Sequence, residues 1–208
     1  MSQDAHGGGE SAAAPVANFD LAQALEAVVS SRRSVYSYLD KPVPRHLVED
    51  AVRHALQAPN HHRSQPLRLF AFAGDGLESL ADAYEAAGGR LGRDTRQARA
   101  RGTEAPVMIV AACLPQTSNP KVKPKEEEFA CAAAIENLLL SLASNGLSSL
   151  ITTGDLPESP EVHRLVGVDP GEGRVVAVVE VGYMNPARRL PARVVPGVSS
   201  CLQWRDGR

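Results

Sequence analysis

The sequence predicts an α+β fold with one buried sheet. Three observations carry this. Val107–Leu114 is a continuous apolar run of strand length, and Arg174–Tyr183 reads as a second buried strand. Glu126–Asn145 reads as a long helix that is apolar nearly all round, suited to the centre of a core. Helix and strand signals interleave without the regular spacing of βαβ units, which disfavours a doubly wound sheet.

The elements follow in order. Residues 1–17 are rich in Gly, Ala and Ser and include Gly7-Gly8-Gly9. They hold too few large apolar groups to offset the entropy of ordering, so a disordered tail is expected, followed by a single domain over 18–208. Asp20 can cap a helix running to about Ser31, with Leu21, Leu25, Val28 and Val29 on one face. Pro42-Val43-Pro44 breaks the chain and starts a helix over 45–57, which Pro59 ends because the residue before a proline avoids the helical region. Leu67–Ala73 reads as a strand closed by Gly74. Residues 76–101 read as one or two Arg-rich helices, expected as a solvated excursion. After the Val107–Leu114 strand, residues 115–125 hold three Pro and three Lys without periodicity and form a loop. Gly146 can supply the left-handed residue that ends the long helix. A short strand over Leu147–Thr152, a short helix over Ser159–Val166 and the final strand complete the domain.

Composition narrows the class. The net charge of −2 sets up no strong field toward nucleic acid or an anionic membrane, and 4% aromatic content gives little for base stacking. Uninterrupted apolar stretches stop short of the roughly 18 residues of a membrane span, since Glu136 and Asn137 interrupt the richest one. The first basic residue is Arg32, which argues against a secretory or mitochondrial leader. The cysteines, at 113, 131 and 201, form no C-x-x-C pair and read as reduced thiols, so a cytoplasmic location is expected.

Two polar clusters stand out. Arg32-Arg33-Ser34 offers guanidinium forks and a hydroxyl, the donors a phosphate needs. At the end of a helix the same residues also suit the negative end of its dipole. Asn60-His61-His62-Arg63-Ser64-Gln65 offers an amide, imidazoles and a guanidinium that can bond the edge of a flat polar ring. Neither cluster is Gly-rich, so neither is a phosphate loop or a dinucleotide fingerprint. His61 and His62 are adjacent and lack the further converging ligands a metal requires, so no metal site is expected.

Together these motifs resemble the nitroreductase family. The resemblance runs through Arg32-Arg33-Ser34-Val35-Tyr36, A-P-N-H-H-R-S-Q-P-L over 58–67, Asn137, Asn145-Gly146-Leu147 and Thr152-Thr153-Gly154-Asp155-Leu156, and it spans about 21–185. The chain looks most similar to the short bacterial NAD(P)H nitroreductases, which also carry an L-x-E-S-P element, here Leu156-Pro157-Glu158-Ser159-Pro160. Tyr36, Arg63 and Leu67 stand where relatives often carry Arg, Asn and Trp. The resemblance implies a mixed central sheet wrapped by helices. It also implies a homodimer with exchanged chain ends and FMN at the interface, NAD(P)H as electron donor, and a nitroaromatic, quinone or similar small-molecule acceptor. It places Arg32, Arg33 and Ser34 at the phosphate, Asn60, His61 and Gln65 near the ring and ribityl chain, and Ile151, Thr152, Thr153 and Gly154 along the ring, with a backbone N–H facing its edge. That cycle needs no dedicated general base, so no catalytic side chain is expected. Alternative readings are a flavin oxidase, dehydrogenase or dehalogenase for a specific metabolite, or a non-catalytic flavin-binding protein.

Overall fold

The computed structural model describes residues 20–206. The expected disordered tail at 1–17 lies outside them. Six α-helices are present among these residues: α1 (Leu21–Ser31), α2 (Arg45–Ala55), α3 (Gly76–Arg90), α4 (Thr95–Arg101), α5 (Pro124–Ser144) and α6 (Pro160–Val166). They surround the strands β1 (Leu67–Ala73), β2 (Val107–Cys113), β3 (Ser148–Thr152) and β4 (Arg174–Gly182).

Local chemistry sets many of the ends. Asp20 caps α1, its carboxylate accepting from the Ala22 and Gln23 N–H groups at 3.1 Å. Pro44 precedes α2, and Ser159 caps α6 with Pro160 in its first turn. After α5, Gly146 has φ of +73°, and Leu147 N–H returns to Leu142 O at 3.0 Å. That six-residue closure satisfies a carbonyl the helix would otherwise leave free, and it needs a left-handed residue, which glycine supplies without strain.

The sheet has the order β1-β2-β4-β3, and all of its ladders are antiparallel. A parallel element enters through the segment after α1, where Ser34 bridges to Ser149. All of β2 is buried. Its alternate residues therefore serve two cores. Val107, Ile109, Ala111 and Cys113 meet α5 and α2 on one face. Met108, Val110 and Ala112 meet α3, α4 and α6 on the other.

The Arg-rich stretch expected as a solvated excursion is instead half of that second core. Leu80, Ala81, Tyr84, Ala87 and Ala98 are buried, and the α3–α4 hairpin closes so tightly that a Cβ at Gly88 would lie 2.6 Å from Ala98 Cβ. The arginines ring its outside, with Arg99 bonded to Glu78, Asp82 and Glu85. Counting charges hid the apolar stripe because the two share one helix on opposite faces.

One irregularity shapes the site. The register between β2 and β4 slips at Ala111/Ala112, pairing Ala111 with Ala177 but Ala112 with Val175, so Val176 has no partner. An extra residue in one strand turns the following side chains to the opposite face. Val176 and Ala177 consequently both point toward α5, and Arg174 comes to the same side.

Candidate functional site

A cleft of about 440 Å³ lies between α5, the β3–β4 edge and the segment that follows α1. That volume is in the range of small-molecule and cofactor sites. Its apolar walls are Ile135 and Leu139 of α5, Val176 and Ala177 of the bulge, and Ile151 of β3. Cys131 adds to the α5 wall; its hydrogen bond with Cys113, and then its burial, push its thiol well up, so it presents a neutral surface.

Polar groups gather at the ends. Arg32 and Ser34 line the cleft, and Arg32 Nε lies 3.5 Å from Glu136 Oε1. Arg33 does not enter it. The chain is extended here, so neighbouring side chains alternate, and Arg33 turns away to donate to Pro191 O. Arg193 caps the end of α1, donating to Val29 O at 2.9 Å and to Ser30 O and Arg32 O at 3.3 Å. Arg188 and Arg189 line a separate hollow beside Tyr36.

At the other end stands Arg174, a cation that nothing in the local sequence marks. An arginine before an apolar run reads as a solvated strand start, and the bulge that aims it into the cleft depends on pairing with β2. Its Nε is 3.2 Å from Glu128 Oε1.

The β3 end contributes less directly. Ile151 is 41% exposed and faces the cleft. Thr152 Oγ1 donates back to Val178 O at 3.1 Å. Thr153 and Gly154 are exposed, and the Gly154 N–H donates to Glu158 Oε1 at 2.8 Å.

The second polar cluster lies elsewhere. Asn60, His61 and Gln65 precede β1, one edge strand, whereas Ile151–Gly154 close β3, the opposite edge. Three inter-strand steps separate those edges, about 14 Å. One chain therefore does not bring the two groups into one cleft. Leu67 is buried in the α5 core and lines no part of the cleft.

The 60–65 loop is nevertheless built with care. His62, Arg63 and Gln65 have φ of 54°, 55° and 49°. Non-glycine residues pay for that conformation, so it persists only where the surroundings fix it. Asn60 Oδ1 accepts from Gln65 N–H at 3.2 Å, and Ser64 Oγ donates to Glu127 Oε1 at 2.7 Å. Glu127 is fully buried, and its Oε2 has no partner among the described residues.

A family model, the nitroreductase family, matches residues 29–183. The chain belongs to the nitroreductase family. That span takes in the cleft and the 60–65 loop but stops short of the C-terminal segment that carries Arg188, Arg189 and Arg193. The chain is 24% identical over 173 residues to YfhC of Bacillus subtilis (strain 168), whose name assigns it provisionally to the NAD(P)H nitroreductases; the match covers 81% of this chain and 89% of YfhC. A nitroreductase-like family protein from Bacillus cereus superposes with a TM-score of 0.75 at 25% identity, covering 88% of this chain and 96% of its own. NfnB from sphigopyxis sp. strain HMH, called an FMN and NADPH-dependent nitroreductase, shares the fold with a TM-score of 0.66 at 19% identity, over 87% and 98% of the two chains. The α+β architecture expected from the sequence, with helices on both faces of the sheet, is the fold of these structures.

Proposed function

We propose that this nitroreductase-family protein is an FMN-dependent oxidoreductase that takes electrons from NAD(P)H and passes them to a nitroaromatic, quinone or similar acceptor. The observation that carries the reading is the convergence of Arg32 and Ser34 on one end of an apolar cleft. A guanidinium and a hydroxyl suit a phosphate, and the walls of Ile135, Leu139, Ile151 and Val176 suit the face of a planar ring. The names of YfhC and NfnB point the same way.

When bound, FMN supplies the two-electron chemistry, accepting a hydride from the nicotinamide and returning it to the acceptor. The chain's own residues bind and orient. Arg32 and Ser34 hold the phosphate, and Glu136 keeps the guanidinium directed into the cleft. Thr152, Thr153 and Gly154 present backbone to the ring edge, where a donor stabilises charge that develops during transfer. Arg33 supports the site from behind by fixing the C-terminal segment.

Asn60, His61 and Gln65 act on the ring of a second subunit. Their position at the opposite sheet edge supports a homodimer with the cofactor at the interface. So does the face of α1, where Leu21 and Leu25 are 63% and 61% exposed. Residues 18–208 work as one domain within that dimer. Among the described residues no helix is long and apolar enough to cross a membrane, and we place the protein in the cytoplasm.

The test is direct. Purified protein should be yellow, release FMN identified by mass spectrometry, and oxidise NADH or NADPH with a quinone acceptor. Release of FAD, or a flavin-loaded protein with no turnover on either nicotinamide, would reject the reading.

A further inference from the structure

Within the Leu156-Pro157-Glu158-Ser159-Pro160 element, Glu158 holds a backbone donor that the flavin reading assigns to the ring edge. Its Oε1 accepts from the Gly154 N–H at 2.8 Å, while its own N–H donates to Gly154 O at 2.9 Å. Its Oε2 lies 4.0 Å from Arg174 Nη1, at the mouth of the cleft. The carboxylate thus stands between two donors, the N–H at the end of β3 and the guanidinium that the β4 bulge aims inward.

The groups on either side of Glu158 are tied elsewhere. Ser159 is fixed as the cap of α6, and Asp155 is held by Arg93 at 2.5 Å. Gly154 has φ of +98°, and a Cβ built there would meet nothing within 4 Å, so the space over its backbone is open to a ligand. A ring nitrogen or carbonyl arriving there is an acceptor, as the carboxylate is. One N–H gives its full bond to one of them.

We propose that Glu158 is an internal competitor for the cofactor's ring edge: it closes the Gly154 N–H in the free protein and turns to Arg174 when the ring takes that N–H. The proposal rests on the FMN reading. It makes Glu158 a residue that tunes cofactor affinity downward, and Arg174 the place its charge goes.

Titration of the apoprotein with FMN, followed by flavin fluorescence, tests it. Glu158→Gln keeps the shape but removes the charge that strengthens the competing bond, and it should bind FMN about fivefold tighter than wild type. Glu158→Ala should bind at least as tightly as Glu158→Gln. Arg174→Gln should weaken binding more when Glu158 is present than in the Glu158→Ala background. Amide exchange gives an independent readout. Gly154 N–H should be protected in wild type with and without FMN, and in Glu158→Ala only once FMN is added. FMN binding equal to or weaker than wild type in Glu158→Gln, at unchanged Tm, would overturn the proposal. So would a Gly154 amide that stays unprotected in FMN-loaded Glu158→Ala. Wild type that binds no FMN at all would instead remove the flavin reading, and this inference with it.

Discussion

Arg32 and Arg33 are neighbours in sequence and opposites in space, which separates their expected effects. Arg32→Ala removes a charge-assisted donor from the cleft, worth on the order of 1.5–3 kcal/mol, so FMN affinity should fall about one to two decades. Arg33→Ala removes a tie to Pro191 outside the cleft and should change affinity much less. Fluorescence titration of both variants checks this, and equal losses would place Arg33 on the phosphate. Glu180 gives a second prediction at this scale. It is buried on β4, facing Tyr38 from the segment after α1, Tyr84 from α3, and Arg101 and Glu104 near the end of α4. Burial, with the nearby Glu104, raises its carboxyl from 4.5 to about 7. The neighbouring Tyr38 hydroxyl donates to Val35 O at 2.8 Å. The folded state binds more protons than the unfolded one between those values, so stability should fall as pH rises from about 4.5 to 7. Glu180→Gln should flatten that fall and be more stable than wild type at pH 8 by on the order of 1–3 kcal/mol, read by urea unfolding at several pH values.

At the scale of elements, the contact of the 60–65 loop with α5 is the one to test. Ser64 is the donor for a fully buried carboxylate whose second oxygen has no partner among the described residues. Ser64→Ala leaves Glu127 with neither oxygen bonded by protein among the described residues, at a cost of about 1–3 kcal/mol. The loss should appear in urea unfolding and be accompanied by weaker FMN binding, since the left-handed residues beside Ser64 depend on the same anchor. Weaker binding without any stability loss would mean that Ser64 touches ligand directly. The bulge at Val176 is a comparable device, because it lets one strand bury Val175 on one face while Val176 and Ala177 line the cleft on the other.

For the whole molecule the expectation is an obligate dimer. Helix α1 buries none of its side chains in this chain, and Val194, Val198 and Trp204 of the C-terminal segment are also largely exposed. Apolar surface of that extent marks an interaction site. Leu25→Glu should shift the protein to monomer by light scattering at micromolar concentration and release most of its FMN, with little change in the intrachain core because Leu25 packs on none of it. A Leu25→Glu monomer that retains FMN would show that one chain completes the site. Turnover should follow parallel double-reciprocal lines, as expected where donor and acceptor would use one cleft in turn; intersecting lines would mean both bind together.

Much of the fold was legible because its signals are local. Asp20, Pro44, Ser159 and Gly146 set helix ends through their own side chains or backbone freedom, and the unbroken apolar run at 107–114 and the valine-rich run at 174–183 mark buried strands. The two polar clusters were legible for the same reason, as short runs of donors, while their assignment to a cofactor rests on the family resemblance. Tertiary structure alone decided where those donors point. Strand order put Asn60–Gln65 and Ile151–Gly154 on opposite edges, which no local pattern encodes. Alternation along an extended segment turned Arg33 outward, and a bulge fixed by the partner strand brought Arg174 inward. The engagement of Gly154 N–H by Glu158 likewise exists only once the loop has folded back. Local propensity is a property of a few consecutive residues, whereas the direction of a side chain into a shared cleft depends on pairings between residues far apart in the chain.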